Sequence, residues 1–212
     1  MKKLFAIIII AVSVLSASAQ MMTSRTLMKR ENPTTWYVRL GLGINSLNGP
    51  SGDDKDYYDV STGSKAGFDI DFGFNKPMGK SGAYWGMDLG LLNRGGTVTS
   101  DDSDTSININ TWSIKYSPLM FGYKYSITDD IKIDGHLSGY LLADVSQKAK
   151  YGDRELDSDA FDSSFDAGVQ IGIGVWYKKF NFDLSYQRGF MPLTGSPNLT
   201  TSTFLIRVGY AF

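Results

Sequence analysis

The chain has 212 residues, a formal net charge of -1 and no cysteine. Disulfide stapling and lipid attachment through a cysteine are thereby excluded, and the lack of a dominant basic charge argues against nucleic acid as a partner. Beside 23 Gly stand 12 Phe, 12 Tyr and 4 Trp, a composition suited to a closed sheet that is apolar outside and polar inside.

Lys2 and Lys3 precede an apolar run from Leu4 to Leu15, and Ala17-Ser18-Ala19 supplies small residues where a signal peptidase reads. The run is too short to cross ~30 Å of hydrocarbon as a helix. Residues 1–19 therefore read as an export signal, cleaved after Ala19. Residues 20–34 form a lead, with no clear periodicity from Met21 to Pro33.

From Thr35 onward the chain alternates with the period of two that marks strands. In the first strand, Thr35–Asn45, Trp36, Val38, Leu40, Leu42 and Ile44 oppose Tyr37, Arg39, Gly41 and Gly43. The second, Lys65–Asn75, sets Ala66, Phe68, Ile70, Phe72 and Phe74 against Lys65, Gly67, Asp69, Asp71 and Gly73. The third, Ala83–Asn93, opposes Trp85, Met87, Leu89 and Leu91 to Tyr84, Gly86, Asp88 and Gly90. A long fourth strand, Ile107–Ile127, changes apolar parity from Trp112, Ile114 and Tyr116 to Leu119, Phe121, Tyr123 and Tyr125 across Ser117-Pro118. One extra residue there, a β-bulge, restores alternation, and a bulge tolerates proline.

The fifth strand turns Ile131, Ile133, Leu137, Leu141 and Val145 away from Lys132, Asp134, His136, Ser138, Tyr140 and Asp144. The sixth opposes Phe165, Val169, Ile171, Ile173 and Val175 to Asp166, Gly168, Gln170, Gly172 and Gly174. In the seventh, Phe180, Phe182, Leu184 and Tyr186 oppose Asn181, Asp183, Ser185 and Gln187. The last, Ser202–Phe212, places Phe204, Ile206, Val208, Tyr210 and Phe212 on one face.

Connections alternate in length. Ser46–Ser64, Arg94–Ser106, Ser146–Ala160 and Gly189–Thr201 are long, whereas Lys76–Gly82, Thr128–Asp130 and Lys178-Lys179 are short. That rhythm, with segments of ~10 residues, fits an eight-stranded antiparallel transmembrane β-barrel with long extracellular loops and short periplasmic turns. A soluble sandwich has no reason to gather its long loops at one end. Trp36, Tyr84, Trp85, Tyr123, Tyr125, Phe180, Phe182, Tyr210 and Phe212 fall near the short-turn end, where amphipathic rings form a girdle at the headgroup layer.

Several stretches resemble the small outer-membrane β-barrel proteins grouped as a porin family or outer membrane protein β-barrel domain, similar to the OmpX and OmpA barrels in strand number. They are Tyr116–Tyr125 (YSPLMFGYKY), Gly135–Leu142 (GHLSGYLL), Phe165–Gly168 running through Gly172–Gly174 to Tyr186–Gly189, and the aromatic terminal strand. The resemblance spans essentially the whole mature chain. It implies residence in the outer membrane of a Gram-negative bacterium, contact with lipid and lipopolysaccharide, and assembly through the terminal strand Phe204, Ile206, Val208, Tyr210 and Phe212. Fold-level likeness licenses no specific activity.

Parity sends Arg39, Lys65, Lys115, Lys124, Lys132 and Arg207 into the lumen against Asp69, Asp71, Asp88, Asp134, Asp144, Asp166 and Asp183. Eight strands enclose a lumen that side chains fill, and buried charges must pair, so a salt-bridged plug is expected. Lumen glycines at 41, 43, 67, 73, 86, 168, 172 and 174 leave room for Tyr37, Tyr84 and Tyr140 from other strands. His136, the single histidine, is flanked by Asp134 and Ser138. Successive inward residues lie ~6.6 Å apart, too far for a triad, so no catalytic residue and no cofactor are assigned. Acidic clusters at Asp53, Asp54, Asp56 and Asp59, at Asp101, Asp102 and Asp104, and at Asp153, Glu155, Asp157, Asp159 and Asp162 lack EF-hand spacing, though carboxylates suit a divalent cation. The leading expectation is a structural or partner-binding monomeric barrel. The alternatives are a narrow porin-like channel for ions or small solutes, and an assembly factor for a secretion system acting through residues 21–33.

Overall fold

Alternation carries directly into strands. The computed structural model describes residues 33–48, 60–79, 81–100, 105–151, 154–156, 165–191 and 200–212. The strands are β1 (Thr35–Asn48), β2 (Val60–Pro77), β3 (Ala83–Ser100), β4 (Thr105–Ser126), β5 (Ile131–Tyr151), β6 (Arg154–Leu156), β7 (Phe165–Tyr177), β8 (Phe180–Gly189) and β9 (Thr200–Ala211). All pairings are antiparallel, in the order β4-β3-β2-β1-β9-β8-β7-β5-β6, and a further β4–β5 pairing closes the ring. β6 is a short arm on β5, Ala149 opposite Leu156. The eight long strands form a closed antiparallel barrel. The first strand meets the last from Tyr37↔Ala211 to Asn48↔Thr200, so the ring keeps no open edge. The export segment and most of the lead lie outside the described residues, as do the acidic clusters of the loops, Glu155 excepted for its backbone.

Burial is inverted relative to a water-soluble protein. Inside are Arg39, Asp69, Asp71, Asn75, Lys115, Asp134, Gln170, Asp183 and Arg207; outside, Leu42 is 68% exposed, Ile173 63% and Phe182 57%. An apolar exterior continuous around a closed sheet is stable only against hydrocarbon. No helix among the described residues is long and apolar enough to cross a membrane.

The bulge expected at Ser117-Pro118 is present. Tyr116 faces Leu141 and Leu119 faces Gly139, three steps on β4 against two on β5. Its consequence is the parity change: Ser113, Lys115 and Ser117 point inward before it and Met120 after it.

Strand ends differ from expectation on the loop side. Arg94–Ser106 and Ser146–Ala160 were expected to be loops, yet β3 runs to Ser100, β4 begins at Thr105 and β5 reaches Tyr151. The apolar alternation stops near Asn93 because the strands leave the apolar layer there. The backbone ladder continues through residues such as Thr97 and Asn108, which need no lipid-facing side. β4 has 22 residues and β8 has 10, so the barrel wall is tall on the β3–β5 side.

At the turn end, Trp36 stacks on Phe72 at 5.5 Å and Phe72 on Phe212 at 6.3 Å, while Phe74 meets Trp85 edge-on at 5.4 Å. Phe180 packs against Tyr210 at 5.4 Å. Tyr84 does not join this girdle: it lies inside the barrel, 2% exposed, because its parity on β3 is that of Asp88.

Candidate functional site: the barrel lumen

The lumen is layered. At the turn end Tyr37, Tyr84, Met120, Trp176 and Ala211 form an apolar floor. Asp134 anchors it, accepting from the Tyr84 hydroxyl at 2.8 Å and the Trp176 indole N–H at 3.0 Å. The Lys124 ammonium lies 4.1 Å from the Trp176 ring centre and 4.9 Å from that of Tyr84, so the cation is held by aromatic faces.

Above the floor three cations meet four carboxylates. The Lys115 ammonium donates to Asp69 at 2.6 Å and Asp71 at 2.8 Å. Arg207 donates to Asp71 at 2.7 Å and, through Nε and Nη2, to Asp183 Oδ1 at 2.8 and 2.5 Å. Arg39 donates to the Asn181 amide oxygen at 3.0 Å and lies 3.9 Å from Asp88, which also accepts from the Tyr37 hydroxyl. His136 Nε2 sits 3.6 Å from Asp183 Oδ2.

A second apolar layer follows, formed by Leu92, Tyr140, Leu142 and Leu205. Along β3 the inward order Asp88, Gly90, Leu92, Arg94 places this septum's Leu92 between the central charges and a cluster at the loop end. Leu92 and Leu142 also face Asp69 and Lys115 on neighbouring strands, and the buried Gln170–Gln187 and Asn45–Thr203 pairs complete the lumen there. At the loop end Arg94 donates to Asp166 at 2.6 Å and to Asp144 at 2.9 and 3.3 Å. Ser113 donates to Asp144 at 2.6 Å and Thr201 to Asp166 at 3.1 Å.

Glycines explain how these groups reach one another. Lys115 on β4 and Asp71 on β2 both face Gly90 on the intervening β3. Arg207 on β9 and Asp69 on β2 both face Gly41. Arg39 and Asn181 face Gly209, His136 and Ser185 face Gly172, and Tyr37 and Asp88 face Gly73. A β-carbon at Gly41 would stand 2.5 Å from Arg207 Cγ, and one at Gly90 2.2 Å from Asp71 Oδ1. Lys115, Arg207, Arg39 and Tyr37 therefore lie across a glycine to reach the second strand over. Such bonds join strands that share no backbone ladder.

Of the expected network, Arg39, Asp69, Asp71, Asp88, Asp134, His136, Asp166, Asp183 and Arg207 are buried in the lumen. Lys124 is half-buried at the floor, and Lys132 is exposed. Lys132 has inward parity but is the second residue of β5, opposite Ser126 at the turn, so its side chain clears the mouth into solvent. Asp134, His136 and Ser138 are not joined as a triad: Asp134 is engaged by Tyr84 and Trp176, and His136 turns toward Asp183. Phe204, Ile206, Val208, Tyr210 and Phe212 all face outward. Arg94 also belongs to the lumen, although its polar stretch reads as a loop. The signal that finds it is its even-numbered parity with Leu92 on β3.

A family model described as the outer membrane protein beta-barrel domain matches residues 7–212. The chain belongs to this family. Among solved structures, similarity extends to Neisserial surface protein A (13% identity, 85% of this chain and 99% of that one, TM-score 0.48). It extends also to Ail, the attachment invasion locus protein of Yersinia pestis, in complex with the heparin analogue sucrose octasulfate (13% identity, 84% and 99%, TM-score 0.42). The N-terminal β-barrel domain of Pseudomonas aeruginosa OprF is a third (10% identity, 82% and 97%, TM-score 0.31). No curated protein matches the chain. As a member of the outer membrane β-barrel family, the protein resides in the outer membrane of Gram-negative bacteria.

Proposed function

We propose that this barrel is a sealed, structural or partner-binding element of the outer membrane, acting through the surfaces it presents and not through passage of solutes. The observation that carries this reading is the stack of layers across the lumen: an aromatic floor, a central ion-paired layer, and the Leu92–Tyr140–Leu142–Leu205 septum. An ion crossing it would have to separate buried pairs and then cross apolar side chains, both costly in a low-dielectric interior. The outward belt contacts lipid and lipopolysaccharide. The terminal strand, with Phe204, Ile206, Val208, Tyr210 and Phe212, is what the barrel-assembly machinery reads. The closed ring, whose eight long strands each pair with two neighbours among the described residues, favours a monomer.

Proteoliposome swelling tests the reading. Vesicles carrying the refolded protein should respond to pentose-sized sugars and to small salts no faster than empty vesicles. Swelling that scales with protein content would favour the narrow-channel reading. Assembly-factor activity would instead appear as partner capture that disappears when residues 21–33 are removed.

A further inference from the structure

The short-turn end of the barrel carries a second arrangement that the lumen does not use. Lys76 near the end of β2, Lys178 and Lys179 in the β7–β8 turn, and Lys132 at the start of β5 ring that end. Three of them lie along outward-facing aromatic rings. The Lys76 ammonium is 5.8 Å from the ring centre of Trp85, that of Lys178 5.6 Å from Tyr177, and that of Lys179 5.8 Å from Tyr210. Aromatic rings of a girdle sit at the headgroup level. A lysine stem lying along such a ring carries its ammonium to the phosphate plane.

Two further facts separate this collar from ordinary surface lysines. Lys178 has φ 54, the left-handed region, where a two-residue hairpin turn favours glycine or asparagine. A β-branchless but bulky side chain is thus kept at a backbone position that penalises it, and strained positions cluster where function needs the side chain. Compensation by carboxylates is partial. Asp129 and Asp130 lie in the β4–β5 turn at this end. Asp130 is 3.7 Å from Lys178, with both side chains 57% exposed, a contact that screening weakens, and Lys76, Lys132, Lys178 and Lys179 outnumber these two carboxylates.

We propose that Lys76, Lys178 and Lys179, with Trp85, Tyr177 and Tyr210, form a collar that binds the anionic headgroups of glycerophospholipids in the leaflet next to the short turns. Each ammonium meets a lipid phosphate while its ring meets the upper acyl chain. The collar holds whether or not the lumen conducts.

The experiment is tryptophan quenching of the full-length protein in phosphatidylcholine vesicles doped with brominated phosphatidylglycerol or brominated phosphatidylcholine. The wild type should prefer the anionic lipid by about threefold or more, since basic residues near an anionic surface each add appreciable attraction. That preference should fall toward one as salt rises to about 0.5 M. K76Q/K178Q/K179Q should show a ratio of about one while retaining the heat-dependent gel shift of a folded barrel. K178G should resist urea at least as well as the wild type yet lose part of the preference, a split that a purely structural lysine would not produce. Inorganic phosphate at matched ionic strength should leave quenching unchanged. Equal quenching by the two lipids in the wild type, a preference insensitive to salt, a triple variant that keeps it, or displacement by inorganic phosphate would each overturn the proposal. Should the triple variant fail to fold, the wild-type salt series and K178G decide it.

Discussion

Replacing Lys115 with methionine removes the centre of the lumen network while keeping most of its volume. Lys115 is 1% exposed and its ammonium is 2.6 Å from Asp69 and 2.8 Å from Asp71. Without it, Asp71 keeps Arg207 at 2.7 Å, but the nearest cation to Asp69 is Arg207 at 3.7 Å. The central layer then has Arg39 and Arg207 against four buried carboxylates, Asp69, Asp71, Asp88 and Asp183. Removing one partner of a buried pair costs about 3–5 kcal/mol, because the remaining charge keeps its desolvation penalty without the attraction. K115M should therefore lower unfolding free energy by about that amount, measured by urea titration in lipid vesicles with tryptophan fluorescence. Because Asp69 is the carboxylate left most exposed to this loss, D69N added to K115M should recover about 1.5–3 kcal/mol as a coupling energy. A cost under about 1 kcal/mol for K115M, or a D69N cost that simply adds, would refute the argument that the pairs are what makes the charged lumen tolerable.

Gly90→Ala should destabilise the barrel by about 1–3 kcal/mol, since its β-carbon would stand 2.1 Å from the Ile70 carbonyl oxygen and 2.2 Å from Asp71 Oδ1. Gly135→Ala, which meets nothing within 4 Å, should change stability by less than about 0.5 kcal/mol in the same urea assay. Ile171→Arg, at the middle of β7 on the lipid face, should cost about 2–4 kcal/mol, visible as a lower temperature of gel-shift loss. Deleting Pro118 removes the extra residue of the bulge. Leu119 then follows Ser117 directly, β4 alternates without a break and matches β5 step for step, and Ser117 and Met120 stay inward, so the variant should still show the folded band after refolding.

Much of this architecture was legible because a membrane barrel writes itself in parity. Each side chain in the apolar layer has only two places to go, hydrocarbon or lumen, so Arg39, Asp71, Asp183 and Arg207 could be assigned inward from spacing alone. The proline at 118 marked its own bulge, since Trp112 and Phe121 cannot share a face without one extra residue between them. Beyond the apolar layer the same logic fails. Residues 94–100 and 146–151 lie in strands without an apolar side, and a polar strand reads as a loop. Arg94 is hidden from parity for that reason, and Lys132 shares inward parity yet is exposed because parity fixes the side of the wall but not the height along it.

Partnerships within the lumen were less legible than membership. Which cation meets which carboxylate depends on the register of strands one removed, and sequence alternation does not encode register. Glycine spacing holds part of that information. Gly41, Gly73, Gly90, Gly172 and Gly209 each lie between two groups that meet or nearly meet above them. Once the register is known, these inward glycines point to the long-range contacts. Tyr84 belongs to the same lesson: parity sends it inside, but its bond to Asp134 across Gly122 follows from register.

The central claim is that paired charges between two apolar layers close the lumen, and single-channel recording of the refolded protein in planar bilayers tests it most directly. The account predicts a silent trace broken at most by brief, small events, with Asp69→Asn and Lys124→Gln leaving it silent. Steady openings in the wild type, altered in size or ion preference by either substitution, would contradict it.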